Sequence, residues 1–542
     1  MRPSGLSRST VLTRGGIVCS ASPMAASAGL HVLQGGGNAF DAAIATAAVE
    51  GVCIPPMCGL GGELFAILYE AKTGKVYGLN SSGAAPQAAT PEFFWRQGLK
   101  VMPERGPLAV AIPGEVAAWE VVAKRFCTRT LAELLEPAIH YAEDGFPLPP
   151  HVAQAFQKSA EVLGRYPSTA RAMLKDGRPY SEGEVLAQAD LARSLRRVAQ
   201  GGADEFYRGG LAREIVQSLR QAGGLYTEEE FARHQAELYE PPLSTSYRGY
   251  TVYQTRPPSQ GLIMLEMLNI LEGFDLAALG HLSPESVHLM VEAKKLAFAD
   301  RNAFVGDPAF VDSPVERLIS KEHAASRRKA IDPRRASAVL PAPTPAASGD
   351  TSYFCVVDAQ GNAVSLIHSL SHGFGAAFVA GETGILLNNR AGRGFSLVAG
   401  HPNIIAPGKR SMHTLNCYMV FHDRKPYLVG GTPGGDFQPQ GNTQVIASIL
   451  DYGLEVQDAV EAPRWSSVPG SDPATIGQEV RLLVEPEMPE ATVRGLEARG
   501  HQVVAFREDI SHGRVQLIRI DPDTGVRAGA SDPRGDGHAL AH

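Results

Sequence analysis

Four pairs of apolar segments, each folded back over a short polar turn, are split between the two ends of this chain. One pair, residues 64–69 and 76–79 around Lys72-Thr73-Gly74, lies near the N-terminus. Three lie beyond residue 350: 353–357 with 363–370, 418–421 with 426–429, and 515–520 with 526–530. Their β-branched and aromatic residues, bounded by Gly, Asn and Asp, predict antiparallel hairpins. Neither end holds enough strands for a sheet of its own, so strands from both must interleave. The residues between are mostly helical by period, over 116–126, 210–222, 259–273 and 284–303, the last opening on Pro284. Residues 37–50 follow a glycine cluster, with Asn38 as N-cap, and predict a small-residue helix packed closely on its neighbour. The fold class expected is α+β, with antiparallel sheets covered by helices.

A 542-residue chain with 44% hydrophobic residues can bury a large core, and its net charge of -7 carries no nucleic-acid footprint. The basic runs Arg327-Arg328-Lys329 and Arg334-Arg335 read as solvated linker charge. No two of the six cysteines form a Cys-x-x-Cys pair, and Cys53 and Cys58 stand far from any His-rich partner. Reduced, buried thiols are expected, which favours a cytoplasmic protein. The first residues lack the apolar core of a secretory signal, and no run approaches the roughly 18 apolar residues of a membrane span. His368 and His372 are four apart, but on a strand and turn rather than one helical face, so no metal is expected. The glycine clusters at 35–37 and 59–62 lack the acid of a dinucleotide fingerprint, and no Gly-x-Ser-x-Gly elbow occurs, so no cofactor is expected.

Chemistry concentrates at Asp350-Thr351. Residues 321–350, rich in Ala, Pro, Ser and basic side chains, read as an exposed linker. An apolar strand then starts on a hydroxyl residue. Were the bond before Thr351 cut, one residue would carry both a nucleophile and an amine to serve as its base. Downstream lie a Ser- and His-rich turn, from Ser369 to Gly375, and a glycine run from Gly430 to Asp436. Backbone N–H groups at a Gly-Gly turn can face a substrate unobstructed and hold an oxyanion. Equally, such glycines can serve a turn that merely needs positive φ.

Ordered stretches along nearly the whole chain carry a resemblance: GGNAFDAAIATAA, CGLGGELFAIL, YRGYTVYQTRPPSQG, EAKKLAFADRNAFVGDPAFV, TSYFCVVDAQGNAVS, AGETGILLNN, TPGG and GASDPR. With these the chain resembles the gamma-glutamyltransferase family of N-terminal-nucleophile hydrolases. The resemblance implies a four-layer αββα fold and a proenzyme that cuts itself between Asp350 and Thr351. Residues 1–350 would form a large subunit and 351–542 a small one, together a heterodimer; a higher oligomer stays open. It implies Thr351 as nucleophile, Ser369 as the family's second hydroxyl, and Gly434 and Gly435 as oxyanion donors. In the precursor the hydroxyl would attack the Asp350 carbonyl, giving an ester that water opens. In the mature enzyme the amine, with a reference pKa of about 8, would take the hydroxyl proton.

The substrate pocket departs from that family. Ser82 stands where the family's arginine grips the glutamate carboxylate, and Ser371 replaces an asparagine. The positions that hold the glutamate amino group fall in Arg390-Ala391-Gly392-Arg393-Gly394, which contains no acid. The paired serines become His413-Thr414. Each charged hydrogen bond so lost contributes about 1.5–3 kcal/mol, enough together to abolish glutamyl recognition. The segment between 396 and 409 is shorter than the family's active-site loop, which suggests an open site and hydrolysis over transfer. Arg390, Arg393, His413 and His372 suggest a small acidic amide as substrate; equally, the arginines could tie the Asn388-Asn389 strand end to nearby carboxylates. The altered signature resembles the subgroup that includes oxamate amidohydrolase. A true gamma-glutamyltransferase or glutathione hydrolase, a cephalosporin acylase-like amidase, and an unprocessed, non-catalytic binding protein are the alternatives.

Overall fold

The computed structural model describes residues 7–337, 351–469, 480–506 and 513–542. Strand Ser352–Val357 is buried at every position, and its alternating side chains serve two different cores. Tyr353, Cys355 and Val357 pack with Ile17, Phe65, Ile67, Met419, Val429 and Ile518, whereas Phe354 and Val356 pack with helix residues such as Ile44, Val49 and Trp119. Period-two alternation with both faces apolar is what a strand inside a stack of layers requires. A third core covers the other sheet, where Val252, Val420, Leu428 and Leu517 meet Leu265, Leu268, Val291 and Ile446. The layers therefore run helix, sheet, sheet, helix, as expected.

Among the described residues each main sheet has seven strands, all antiparallel to their neighbours. One runs His538–Ala541, Ile17–Ser20, Ser352–Val357, Ala363–Ser369, Glu63–Glu70, Lys75–Ser81, Glu237–Tyr239; the other runs Val11–Thr13, Arg527–Ser531, Gln516–Ile520, Lys425–Gly431, Tyr418–His422, Tyr250–Gln254, Leu243–Tyr247. All four predicted hairpins are present and the strands of the two ends do interleave. Ser352–Val357 and Ala363–Ser369 lie between Ile17–Ser20 and Glu63–Glu70, so the parts of the chain before and after residue 350 are stitched into one sheet.

One expectation is completed and one is corrected in part. Strands Leu243–Tyr247 and Tyr250–Gln254 form a hairpin inside the mostly helical stretch, turning on Arg248 and Gly249 at φ 52° and 85°. Paired positive φ values give the primed turn that matches strand twist. The supposed linker begins as a helix, Lys321–Arg328, capped by Ser320 and packed through Ala324. Two of its charges are bound rather than solvated, Arg327 to Asp300 and Arg328 to the carbonyls of Asn269 and Ile270, whereas Lys329, Arg334 and Arg335 are exposed as expected; residues 338–350 of the linker lie outside the described residues.

The predicted small-residue helix spans Ala39–Cys53, with a capping box between Asn38 and Asp41. Every residue of it but Gly51 is buried. Helix Pro23–Gln34 approaches it so closely that a Cβ on Gly29 would sit 2.3 Å from Thr46 Oγ1. This packing fixes Glu50, an acid in the last turn, beneath strand Ser352–Val357. Among the described residues, no helix is long and apolar enough to cross a membrane.

Candidate active site around Thr351

Thr351 immediately precedes its strand, and Ser369 ends the strand paired with it, in a register that sets Ser352 opposite His368. The two hydroxyls meet at 3.0 Å, Thr351 3% exposed and Ser369 fully buried. Ser369 Oγ also accepts the Ser371 backbone N–H at 2.7 Å. In the intact chain Thr351 is thus enclosed. Thr351 borders a cavity of about 20 Å³, lined among the described residues by Ala21, Ile54, Met57, His151, Val152, Arg514 and Asp536. Asp350 lies outside the described residues.

Beyond Ser369 the chain bends sharply, with Ser371 at φ 85° and Phe374 at φ 60°, conformations an L-residue adopts only under constraint. The constraint is visible. Arg393 Nη1 donates to the Ser371 carbonyl at 2.8 Å, and Asn389 Oδ1 accepts the His372 N–H at 3.0 Å. Arg105 donates to the carbonyls of Gly373 and Gly375, and its Nη2 lies 2.5 Å from His372 Nδ1. Burial and the neighbouring charges of Arg393 and Arg105 hold the His372 pKa down to about 3, so the ring is a neutral acceptor.

Glu63, opposite Ser369 in the adjoining strand, gathers the altered pocket residues. Its Oε2 accepts Arg390 Nε at 3.0 Å and His413 Nε2 at 2.8 Å, and its Oε1 accepts the Gly83 N–H at 2.7 Å. Burial alone would push this carboxyl up, but His413, Arg390 and the Gly83 amide outweigh it and the net shift is downward. His413 Nδ1 accepts the Leu415 N–H, which leaves Nε2 as the protonated nitrogen. Burial first, then the Arg390 charge, lower its pKa to about 4. Arg390 Nη1 reaches Thr414 Oγ1 at 3.3 Å, while Ser82 turns away, bonding Asn80 Oδ1 through both hydroxyl and amide. Arg390 therefore ties the 388–389 strand end to a carboxylate, yet its buried Nη2 has no partner, nor has Ser371 Oγ.

Gly434 and Gly435, at φ 124° and 58°, link strand Lys425–Gly431 to helix Phe437–Leu450. At the head of this run Gly431 packs on the Tyr353 ring and Thr432 Oγ1 accepts the Arg514 N–H, with Arg514 in turn on the Thr351 cavity. A group the sequence did not reveal holds the turn. Arg301, fully buried and stacked 4.0 Å over the Phe298 ring, donates to Asp436 Oδ1 and Gln260 Oε1, both at 2.5 Å, and Gln260 Nε2 donates to the Gly435 carbonyl.

Equally unforeseen is a polar cluster behind the nucleophile. His368 lies between Glu50 Oε2 at 2.8 Å and Glu115 Oε1 at 2.9 Å, all fully buried, and Glu50 also accepts the Ser352 and Ser20 hydroxyls. Burial disfavours the imidazolium, but Cys58 and Glu115 hold its proton and the pKa rises well above the usual range. Cys58, which sequence spacing sets apart from any histidine, thus comes within ligand distance of His368 and Glu50. Both ring nitrogens of His368 already face carboxylates.

Stacked antiparallel sheets between helix layers, with a buried hydroxyl at the head of a central strand, define the N-terminal-nucleophile hydrolase class. Comparison with known proteins narrows it: the gamma-glutamyltranspeptidase family model matches residues 25–542, and the chain belongs to that family. It is 40% identical to the glutathione hydrolase-like YwrD proenzyme of Bacillus subtilis (strain 168), over 97% of this chain and 98% of that one. It is 34% identical to the oxamate amidohydrolase proenzyme of Klebsiella pneumoniae, over 96% and 97%. A crystal structure of cephalosporin acylase from Bacillus halodurans superposes with a TM-score of 0.91 at 37% identity, covering 100% of this chain and 98% of that one.

Proposed function

We propose that the chain is an autoprocessing amidohydrolase that cuts itself before Thr351 and then hydrolyses a small acidic amide of the oxamate type through a Thr351 acyl-enzyme. Once cut, the Thr351 amine takes the hydroxyl proton and Oγ1 attacks the amide carbon. The Gly434 and Gly435 N–H groups hold the oxyanion, the Thr351 ammonium passes its proton to the departing nitrogen as the C–N bond breaks, and water opens the ester to release the acid and restore the hydroxyl. Ser369 Oγ orients the attacking hydroxyl. The pieces 1–350 and 351–542 stay together as a heterodimer because their strands alternate in one sheet.

The observation that carries the substrate class is the state of Glu63. Both its oxygens are committed, to Arg390, His413 and the Gly83 amide, so this acid is not free to receive a glutamate ammonium. What remains are donors, Arg390 Nη2 and Ser371 Oγ, which suit a carboxylate. A cephalosporin acylase-like amidase is the second reading, favoured by the superposition on such an enzyme. The test is a panel of small acidic amides, including oxamate, beside gamma-glutamyl anilides and a cephalosporin amide. Hydrolysis of the acidic amides is expected; efficient glutamyl transfer to dipeptides would overturn the reading. On a denaturing gel the processed protein should give bands of roughly 37 and 20 kDa, from average residue masses.

A further inference from the structure

The uncut chain has a difficulty that the mature enzyme escapes. Before cleavage the Thr351 nitrogen is an amide, with no basic lone pair, so the amine that serves the mature nucleophile does not yet exist. Another group must take the hydroxyl proton during the first cut. Ser369, the hydroxyl's direct partner, is not a base. His413 and His372 are committed to Glu63 and Arg105, and His368 is held between two carboxylates.

The cavity beside Thr351 offers an alternative. His151, in the first turn of helix Pro150–Leu163, and Asp536, just ahead of the C-terminal strand His538–Ala541, both line it. They are joined Nδ1 to Oδ1 at 2.6 Å. A carboxylate on Nδ1 fixes the tautomer and leaves Nε2 to accept a proton, as in the imidazole–carboxylate pairs of other hydrolases. Arg514, which also lines the cavity, cannot act as a base. The volume of about 20 Å³ admits one water, which needs about 10–15 Å³.

We infer that His151, held by Asp536, accepts the Thr351 hydroxyl proton through one intervening water when the chain cuts itself. This rests on the proposed cleavage before Thr351. Oγ1 bonds to the carbonyl carbon of residue 350 as its proton passes by way of the water to Nε2. The proton returns to the Thr351 nitrogen as the C–N bond breaks, leaving an ester and a free amine. A second water opens the ester to a carboxylic acid and restores the hydroxyl.

The test follows conversion of freshly purified full-length protein on denaturing gels. His151→Gly should slow cutting about 100-fold, the ordinary contribution of a positioned proton acceptor, and added imidazole should restore it. His151→Arg keeps the ion pair with Asp536 but cannot accept a proton, and should stay slow. Cutting of His151→Arg at the wild-type rate, or failure of imidazole to rescue His151→Gly, would overturn the inference and leave the pair a structural clasp. A wild-type chain that never cuts at Thr351 removes the proposed function as well. A wild type that cuts, a Thr351→Ala variant that does not, and a His151→Gly variant as fast as wild type would remove this inference alone.

Discussion

Thr351 and Ser369 face each other across adjacent strand ends, their hydroxyl oxygens 3.0 Å apart, and Ser369 Oγ at the same time accepts the Ser371 amide. One side chain thus fixes both the proposed nucleophile and the strained turn beside it. Ser369→Ala leaves the buried Ser371 N–H unpartnered, at about 1–3 kcal/mol. The expected outcome is a lower urea midpoint together with slower cutting and turnover. Ser369→Thr keeps the hydroxyl and should retain most of both, whereas Thr351→Ala should abolish cutting and activity without a comparable loss of stability.

Glu63→Gln takes the charge from a site where Arg390 and His413 converge. Arg390 would remain a buried cation without its counterion, a loss of about 3–5 kcal/mol. Urea unfolding measures it. The double variant Glu63→Gln/Arg390→Gln should recover part of that loss, since the pair is coupled and the two effects do not add.

Asp436→Asn tests the turn at Gly434 and Gly435. Arg301 is fully buried and Asp436 is its counter-charge. Its neutralisation should cost about 3–5 kcal/mol and release the turn that carries the proposed oxyanion donors, so the rate constant should fall more than apparent substrate affinity. Unchanged steady-state kinetics in a folded variant would separate this network from catalysis.

The parts of this design that sequence made legible are those with local patterns. The four hairpins announce themselves by alternation and turn residues, the Ala39–Cys53 helix by its Asn38 cap, and Thr351 by its place at the head of an apolar strand. The Tyr250–Gln254 strand, YTVYQ, carries β-branched and aromatic residues too, but it stands among helical stretches and its burial does not alternate cleanly. What stayed hidden are single polar residues whose meaning lies in distant partners. Glu63 reads as an ordinary strand start, and its partners Arg390 and His413 are 327 and 350 residues away. Glu50 and His368 are 318 apart, and His151 and Asp536 are 385 apart. No periodicity connects such positions; only the interleaving of the sheets does.

Acid should weaken the fold through His413. Its folded pKa is lowered to about 4, by burial and by Arg390 against the pull of Glu63, whereas an unfolded histidine titrates at about 6.5. Between these values the unfolded chain binds a proton that the folded chain refuses, so stability rises with pH across the window and falls on acidification through it. Above about pH 6.5 the group is neutral in both states and contributes no pH dependence. At about pH 5 the expected loss from this one ring is about 2 kcal/mol. His372, lowered to about 3 by burial and two arginines, pulls in the same direction. Carboxylates titrate nearby, so the informative quantity is the difference between chains. The stability change of His413→Asn between about pH 8 and about pH 5 should be smaller than that of wild type by about 2 kcal/mol, measured by urea unfolding at each pH. An identical pH slope in the two proteins would mean that His413 is not held neutral by its surroundings.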